Sequence, residues 1–286
     1  MKRLLVAGAG GMTGSAVTRQ ARDSGWNVIA LTRDDLDITD ATAVDAAIRE
    51  ATPNVVINAA AYTSVDDAEM EKDAAMRVNR DGAANLAKAA SNAGAAIVHI
   101  STDYVFDGNS TRPYAPGDAV HPLSAYGESK LAGEEAVRTH NPDHVIVRSS
   151  WVYSNTGRNF VRTMLRLASA KEFIRVVDDQ YGSPTSAADL AGALLRVATV
   201  TTDGSGGRGT YHFSNSGVTT WCGFARAIFE EKLDHPPPVH PISTADFPTA
   251  ARRPRYSALD SSSFTSTFGL DPRPWREALR STLELM

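Results

Sequence analysis

The sequence predicts an α/β fold, a doubly wound parallel sheet followed by a smaller C-terminal substrate-binding lobe. Three observations predict it: short continuous apolar runs alternate with helix-length segments through the first half, glycines cluster at the first strand-to-helix junction, and the alternation loosens beyond Trp151. A strand buried on both faces needs a continuous apolar run, and strands separated by helices wind into a parallel sheet.

Residues 2–7 read as the first buried strand, which Gly8 ends. Residues 13–24 read as a helix, and 27–31 as a second strand across the Ser24-Gly25 turn. An alanine-rich helix over 41–50 leads to the apolar strand 54–58. A long helix over 73–92, the strand 96–100, a helix over 125–139 and the strand 144–148 continue the pattern. Farther on, 160–170 and 187–199 keep helical apolar spacing, and 224–229 is a further apolar helical stretch. The glycine-rich segment 203–209 reads as a flexible surface loop, and Pro236-Pro237-Pro238 and 248–255 as linker or pocket-lining loops. The expected division is a first domain over 1–150, with returning segments near 187–200 and 216–233, and a lobe made mainly of 151–286.

The 286 residues carry 29 Lys+Arg against 33 Asp+Glu, a formal charge of −4, which excludes a strongly basic nucleic-acid binder and a polybasic membrane binder. With 42% hydrophobic and 22% charged residues the chain can bury a sizeable core. Its single cysteine, Cys222, can form no internal disulfide and no cysteine-based zinc site, so a reducing compartment is expected. The positive-then-apolar start resembles a secretory signal, but the run dissolves into glycine at Gly8, and a strand and turn explain it better. No apolar stretch approaches the ~20 residues that span a bilayer. A cytoplasmic protein with neither nucleic acid nor membrane as partner is expected.

Gly8-Ala9-Gly10-Gly11-Met12-Thr13-Gly14 lies between a predicted strand and a predicted helix. Backbone amides and a helix N-terminus at that junction hold a nucleotide pyrophosphate, and a side chain there would keep the phosphates away. An ordinary tight turn would explain one glycine pattern; the placement favours a dinucleotide site of Rossmann type. An enzyme preferring NAD usually has a carboxylate at the end of the second strand, where this chain has Thr32-Arg33. A hydroxyl followed by a guanidinium suits a 2′-phosphate. NADPH is therefore the expected cofactor and NADH the alternative.

Tyr126 and Lys130, four residues apart, share one helix face. A cation near a phenol lowers its pKa and makes it a general acid/base. Ser101-Thr102-Asp103 ends the fourth strand, where ligands of doubly wound sheets bind, so Thr102 and the Tyr126 helix can converge.

Gly8-x-x-Gly11-x-x-Gly14, Asn58-Ala59-Ala60-Ala61, Val78-Asn79 with Gly82 and Asn85, Ser101-Thr102-Asp103 and Tyr126-x-x-x-Lys130 occur in one order and spacing. Together they resemble the extended short-chain dehydrogenase/reductase superfamily. Within it the chain is similar over nearly its whole length to the dTDP-4-dehydrorhamnose reductase family. The segments that carry this are 56–63, 101–108, 126–134, 148–153, Asn159-Phe160, 179–185 and Arg253-Pro254.

That resemblance implies reduction of the C4 ketone of dTDP-4-dehydro-β-L-rhamnose by NADPH or NADH, the last step in making dTDP-β-L-rhamnose. It implies Tyr126 as proton donor, Lys130 on the nicotinamide ribose and Thr102 on the reacting oxygen. Met12, Thr13, Gly14, Asp37, Ile38, Ala60, Ala61 and Tyr62 match the family's dinucleotide contacts, to which the reading above adds Gly8, Gly11, Thr32 and Arg33. Asp103 and Trp151 match its sugar pocket; Asn159, Gln180 and Arg253 fall in the segments shared with the family. Tyr62 stands where some relatives have His, and Thr32 where some have an acid, which supports NADPH. The competing readings are a reductase of a different 4-ketosugar nucleotide and a non-catalytic dinucleotide-binding regulatory subunit. A homodimer is compatible with either.

Other features read as structural. Asp66, Asp67, Glu69, Glu71 and Asp73 suggest a solvated helix face without a metal, the seven histidines lack metal spacing, and Trp221 and Cys222 suggest lobe packing. Arg252, Arg253 and Arg255 suit a substrate diphosphate.

Overall fold

The computed structural model describes residues 2–204 and 206–286. Ser205, within the loop expected over 203–209, and Met1 lie outside the described residues. Along the chain run β1 (Arg3–Ala7), α1 (Met12–Asp23), β2 (Asn27–Leu31), α2 (Ala41–Ala51), β3 (Val55–Asn58), α3 (Lys72–Met76), α4 (Ala83–Asn92), β4 (Ala96–Thr102), α5 (Ala125–His140) and β5 (His144–Ser149). The second half contains β6 (Val152–Tyr153), α6 (Phe160–Ala168), β7 (Ile174–Val177), β8 (Tyr181–Gly182), β9 (Thr185–Ser186), α7 (Ala187–Thr202) and β10 (Gly209–His212). It closes with β11 (Thr219–Thr220), α8 (Trp221–Lys232), β12 (Val239–Ile242), α9 (Ser262–Phe268) and α10 (Trp275–Leu283).

Six strands form one parallel sheet in the order β10-β5-β4-β3-β1-β2. The central residues of β1, β3, β4 and β5 are apolar because both faces of the sheet are covered. Leu4 and Val6 point to Val17 of α1 and Leu190 and Leu194 of α7, while Leu5 and Ala7 point to Val44, Ile48 and Leu86 of α2 and α4. Each such side chain contributes about 1.5–3 kcal/mol on burial. The chain leaves β1 toward β2 on one side and continues to β3 on the other, which opens a crevice at the strands' C-terminal ends.

Three features depart from the sequence reading. The helix expected over 73–92 contains a π-helical segment, Arg77–Gly82, between α3 and α4. The extra residue turns Asn79 inward, where its amide accepts from Tyr62 N (2.8 Å) and donates to Ser129 Oγ (2.9 Å). The segment near 216–233 does not return to the first domain: α8 packs on α6, α10, β7 and β12 in a separate apolar cluster. Cys222, Phe224, Ile228 and Phe229 are its buried side chains, and their partners are Tyr153, Val161, Leu279 and Leu283. The lobe also holds a parallel pair, β7 with β12, to which the sequence reading assigns no element; Pro241 is tolerated there because the ribbon has only two strands. α7 does lie along α1, and β10 extends the main sheet beside β5.

Candidate active site

The turn after β1 is built by glycines that nothing larger can replace. Gly8 has φ +78°, and a Cβ on it would stand 2.5 Å from Ala60 N. A Cβ on Gly14 would stand 2.1 Å from the Gly8 carbonyl oxygen. Gly11 caps α1 without a side-chain bond, which leaves the first amides of the helix for a ligand. The cavity in front of this turn measures about 750 Å³ and is lined by Gly8, Gly10, Gly11, Arg33, Asp37, Ile38, Ala60, Ala61 and Tyr62, with Glu71 and Arg77 at the α3 side. Its size, its glycine cradle and its two guanidinium groups fit a dinucleotide.

The remaining dinucleotide candidates stand behind or beside that wall. Gly14 supports the Gly8 turn from beneath. Thr13 occupies the first turn of α1, partly buried. Met12 points to the lobe, where its Sδ accepts from Asn159 Nδ2 (3.6 Å). The Thr32 amide and hydroxyl both donate to Asp35 Oδ2 (2.9 and 2.7 Å), so the hydroxyl expected to meet a 2′-phosphate is already engaged and Arg33 is left to do so. The Asp37 carboxyl is held below its ordinary range, first by the Thr39 amide and then by the Thr39 hydroxyl. The Tyr62 hydroxyl donates to Glu71 (2.8 Å), which pushes the phenol up to about 12.

β4 and α5 bring the reactive groups together. Thr102, at the end of β4, is buried; its hydroxyl donates to Asp103 Oδ1 (3.0 Å) and accepts from Tyr104 N (3.2 Å). Ser124 caps α5 by accepting from Gly127 N (3.2 Å), placing Tyr126 in the first turn with its ring edge-on to Tyr104 at 5.6 Å. Gly127 allows this approach, since its Cβ would lie 2.3 Å from the Tyr104 carbonyl. Burial raises the Tyr126 pKa above its ordinary value of 10.0, the Thr102 hydroxyl pulls it back, and Asp103 and Tyr104 add to the rise. This corrects the expectation that Lys130 lowers the phenol's pKa: Lys130 Nζ donates to the Ile100 carbonyl (2.6 Å), and desolvation dominates. Burial likewise brings the Lys130 ammonium down to about 8, opposed by Glu134. Asp103, 1% exposed, is raised by burial to about 6.

A second cavity, about 440 Å³, opens between the halves and is lined by Asp66, Tyr104, Phe160, Arg175, Gln180, Trp221, Phe247 and Arg253 among others. Arg253 donates to Asp66 (2.7 Å), lies over the Tyr104 ring, and leaves its Nη1 buried without a partner among the described residues. Gln180 accepts from Trp221 Nε1 (3.2 Å) and donates to Thr244 Oγ1 (3.0 Å). Trp151, at φ +48°, stacks on Trp221 at 3.6 Å and 7°. Asn159 instead spends its amide inside the lobe, capping α6 and bonding the Ser154 carbonyl (2.8 Å). The acidic run is not merely solvated: Asp66 meets Arg253, Glu69 accepts from Ala125 N (2.8 Å), and Glu71 meets Tyr62. Arg77, Arg175 and Trp221 were not singled out as site residues; only Trp221, an aromatic at the start of an apolar helix, offered a sequence signal. Among the described residues no group of three or more His, Cys, Asp or Glu could hold a metal, and no helix is long and apolar enough to cross a membrane.

A crevice shaped for a dinucleotide, whose Tyr62 packs on the same cluster as the Tyr126 phenol, together with a buried lysine on the same helix and a strand-end threonine, defines an NAD(P)-dependent oxidoreductase of the extended short-chain type. The model of the RmlD substrate binding domain family matches residues 1–286. A dTDP-4-dehydrorhamnose reductase of Aggregatibacter actinomycetemcomitans is 44% identical over 98% of both chains, and one of Mycobacterium tuberculosis H37Rv is 47% identical over 99% of this chain and 92% of that protein. The crystal structure of the Bacillus anthracis dTDP-4-dehydrorhamnose reductase in complex with NADP superposes with a TM-score of 0.93 at 37% identity, covering 100% of both chains. The chain belongs to the dTDP-4-dehydrorhamnose reductase family.

Proposed function

We propose that Thr102, Tyr126 and Lys130 carry the reduction of the C4 ketone of dTDP-4-dehydro-β-L-rhamnose to dTDP-β-L-rhamnose. The protein is an NADPH-dependent oxidoreductase, with NADH the alternative cofactor, and the reaction is the last step of dTDP-L-rhamnose synthesis. The observation that supports this reading best is the meeting of Thr102 and Tyr126 at the C-terminal end of β4, with Tyr62, packed on the same apolar cluster as Tyr126, lining the first cavity and Tyr104 lining the second.

When bound, the nicotinamide supplies the hydride. Gly8, Gly11, Arg33, Asp37, Ile38, Ala60, Ala61 and Tyr62 would hold the dinucleotide. Tyr126 donates a proton to the developing C4 alkoxide; burial keeps the phenol fully protonated at neutral pH, so the acid is always loaded. The Thr102 hydroxyl hydrogen-bonds the reacting oxygen, steadied by Asp103. Lys130 binds the ribose hydroxyls. Trp151, Gln180 and Arg253 face the sugar nucleotide from the lobe, so that residues 1–150 serve chiefly the dinucleotide and 151–286 the substrate. A cytoplasmic location and a homodimer belong to the same proposal.

The test is nicotinamide oxidation by the purified protein with dTDP-4-dehydro-L-rhamnose, with NADPH and NADH in parallel and the product identified. Tyr126→Phe should lower kcat by about 10²–10⁴-fold and spare NADPH binding. Unchanged turnover would remove Tyr126 as the acid. Wild-type protein that binds NADPH but does not oxidise it would move the assignment to another ketosugar nucleotide or to a regulatory role.

A further inference from the structure

The buried face of α5 carries an ionic cluster beside the reactive residues. Glu134, one helical turn beyond Lys130, is 0% exposed and accepts from Ser101 Oγ (2.6 Å), Arg148 Nε (2.8 Å), Arg148 Nη2 (2.7 Å) and Arg138 Nη2 (2.7 Å). Arg148 is itself buried, with its guanidinium over the Phe106 ring and a bond to the Pro116 carbonyl (3.2 Å). Such a cluster adds little stability over an apolar contact of the same volume, because desolvating the charges offsets their attraction. What it supplies is one carboxylate, Glu134, held in place near a buried ammonium.

The placement follows the strand. Ile100 gives its carbonyl to Lys130, Ser101 gives its hydroxyl to Glu134, and Thr102 carries the hydroxyl of the site. The Glu134–Ser101 bond therefore fixes the register of α5 on β4, and with it the distance between Lys130 and Thr102.

We propose that Glu134 is a positioning residue: clamped by Arg148, Arg138 and Ser101, its carboxylate locks α5 on β4 and keeps the buried Lys130 charged for the dinucleotide ribose. This rests on the reductase reading for the role of Lys130. The other titratable groups around Lys130 are Tyr126 and Arg138 on α5, His99 on β4, Asp103 and Tyr104 just beyond it, and Arg148 on β5. Glu69 bonds the first amide of α5. From the helix segments packed on α5, the inward side chain is the neutral Asn79, whereas Lys72, Asp73, Arg77 and Arg80 are exposed and Asp81 pairs with Arg80. Burial, then Lys130 and Arg138, holds His99 well below its ordinary pKa and so neutral. Burial lowers the Lys130 pKa, and Glu134 raises it.

The chain has six lysines, so selective ¹³Cε-lysine labelling resolves the Lys130 side chain, assigned by its loss in Lys130→Arg. Its titration in the protein without cofactor is the readout. Glu134→Gln leaves the Arg148 and Arg138 charges unopposed, and the Lys130 midpoint should fall by about one pH unit. NADPH affinity at pH 8 should then drop about fivefold, and the alkaline limb of kcat should move the same way. Arg138→Gln removes a positive charge from a side chain 29% exposed, and the midpoint should rise by about a few tenths of a pH unit. Glu134→Asp keeps the charge and should return the midpoint toward wild type. Loosened packing alone does not give opposite displacements in the two variants. A Lys130 midpoint that stays or rises in Glu134→Gln, or falls in Arg138→Gln, overturns the proposal. Should Glu134→Gln fail to fold, as judged by circular dichroism, Arg138→Gln decides by the same criterion. The titration needs no substrate, so a wrong ketosugar assignment would appear separately, as an inactive wild type with both displacements intact.

Discussion

Replacing Asp103 by Asn should stabilise the folded protein at neutral pH while impairing turnover. The carboxylate sits at the end of β4, 1% exposed; Oδ1 accepts from Thr102 Oγ1 (3.0 Å), and Oδ2 has no partner among the described residues. Burial lifts its pKa from 3.8 to about 6, against the opposing pull of Ser257, Thr102 and backbone amides. Between those two values the folded chain keeps a proton that the unfolded chain has lost. Stability therefore falls as pH rises through that window, and the cost is complete above the folded pKa. At about 1.36 kcal/mol per pH unit the cost reaches about 3 kcal/mol. The amide is neutral and nearly isosteric, and weakening the bond from Thr102 returns about 1 kcal/mol, so the net gain at pH 7.5 should be about 2 kcal/mol.

Urea unfolding of the two proteins at pH 4, 5.5 and 7.5 measures this, and the other carboxylates cancel in the difference. The advantage of Asp103→Asn should grow with pH, vanish at about pH 4.5 and turn into a small disadvantage at about pH 4. A difference independent of pH, or one that shrinks as pH rises, refutes the argument. The variant should also lose kcat/KM, because the carboxylate is what orients the Thr102 hydroxyl. Both effects share one cause, a buried carboxylate retained at the site at a cost in stability.

Two further outcomes follow from the dinucleotide cavity. Arg33→Ala should raise KM for NADPH about 10–100-fold and leave KM for NADH nearly unchanged, since Arg33 faces the cavity while the Thr32 hydroxyl is tied to Asp35; equal effects on both cofactors would remove the 2′-phosphate role. Gly14→Ala places a Cβ 2.1 Å from the Gly8 carbonyl oxygen and should cost about 1–3 kcal/mol together with NADPH binding, whereas Gly117→Ala, with nothing within 4 Å, should change neither; equal melting temperatures and affinities in the two variants would contradict the cradle geometry.

The sheet was legible because each central strand is a continuous apolar run between turn residues. β1, β2, β3, β4 and β5 lie within two residues of where those runs place them. The lobe was less legible for a physical reason. β7 and β12 are four residues each with exposed positions among them, too short to show a period, and α8 is amphipathic in a way that suits either cluster. Only the tertiary partners of Phe224 and Ile228, which come from α6 and α10, decide where α8 belongs. The π-helical segment Arg77–Gly82 follows no propensity either; Asn79 is turned inward by its bonds to Tyr62 and Ser129, both distant in sequence.

The same distinction separates the site residues that could be read from those that could not. Tyr126, Lys130 and the Gly8 turn depend on local spacing along one helix or one turn, and local spacing is written in the sequence. Arg253 reaches Asp66 across 187 positions, and Trp221 stacks on Trp151 across 70. The first pair joins the sheet half to the lobe and the second lies within the lobe, so the substrate cavity exists only once distant segments have packed. The acidic run follows the same logic: Asp66, Glu69 and Glu71 look like solvated charge in isolation, yet one anchors the C-terminal loop, one bonds the first amide of α5 and one fixes Tyr62. The reacting groups are thus specified by local sequence, and the selectivity of the pocket around them by long-range contacts.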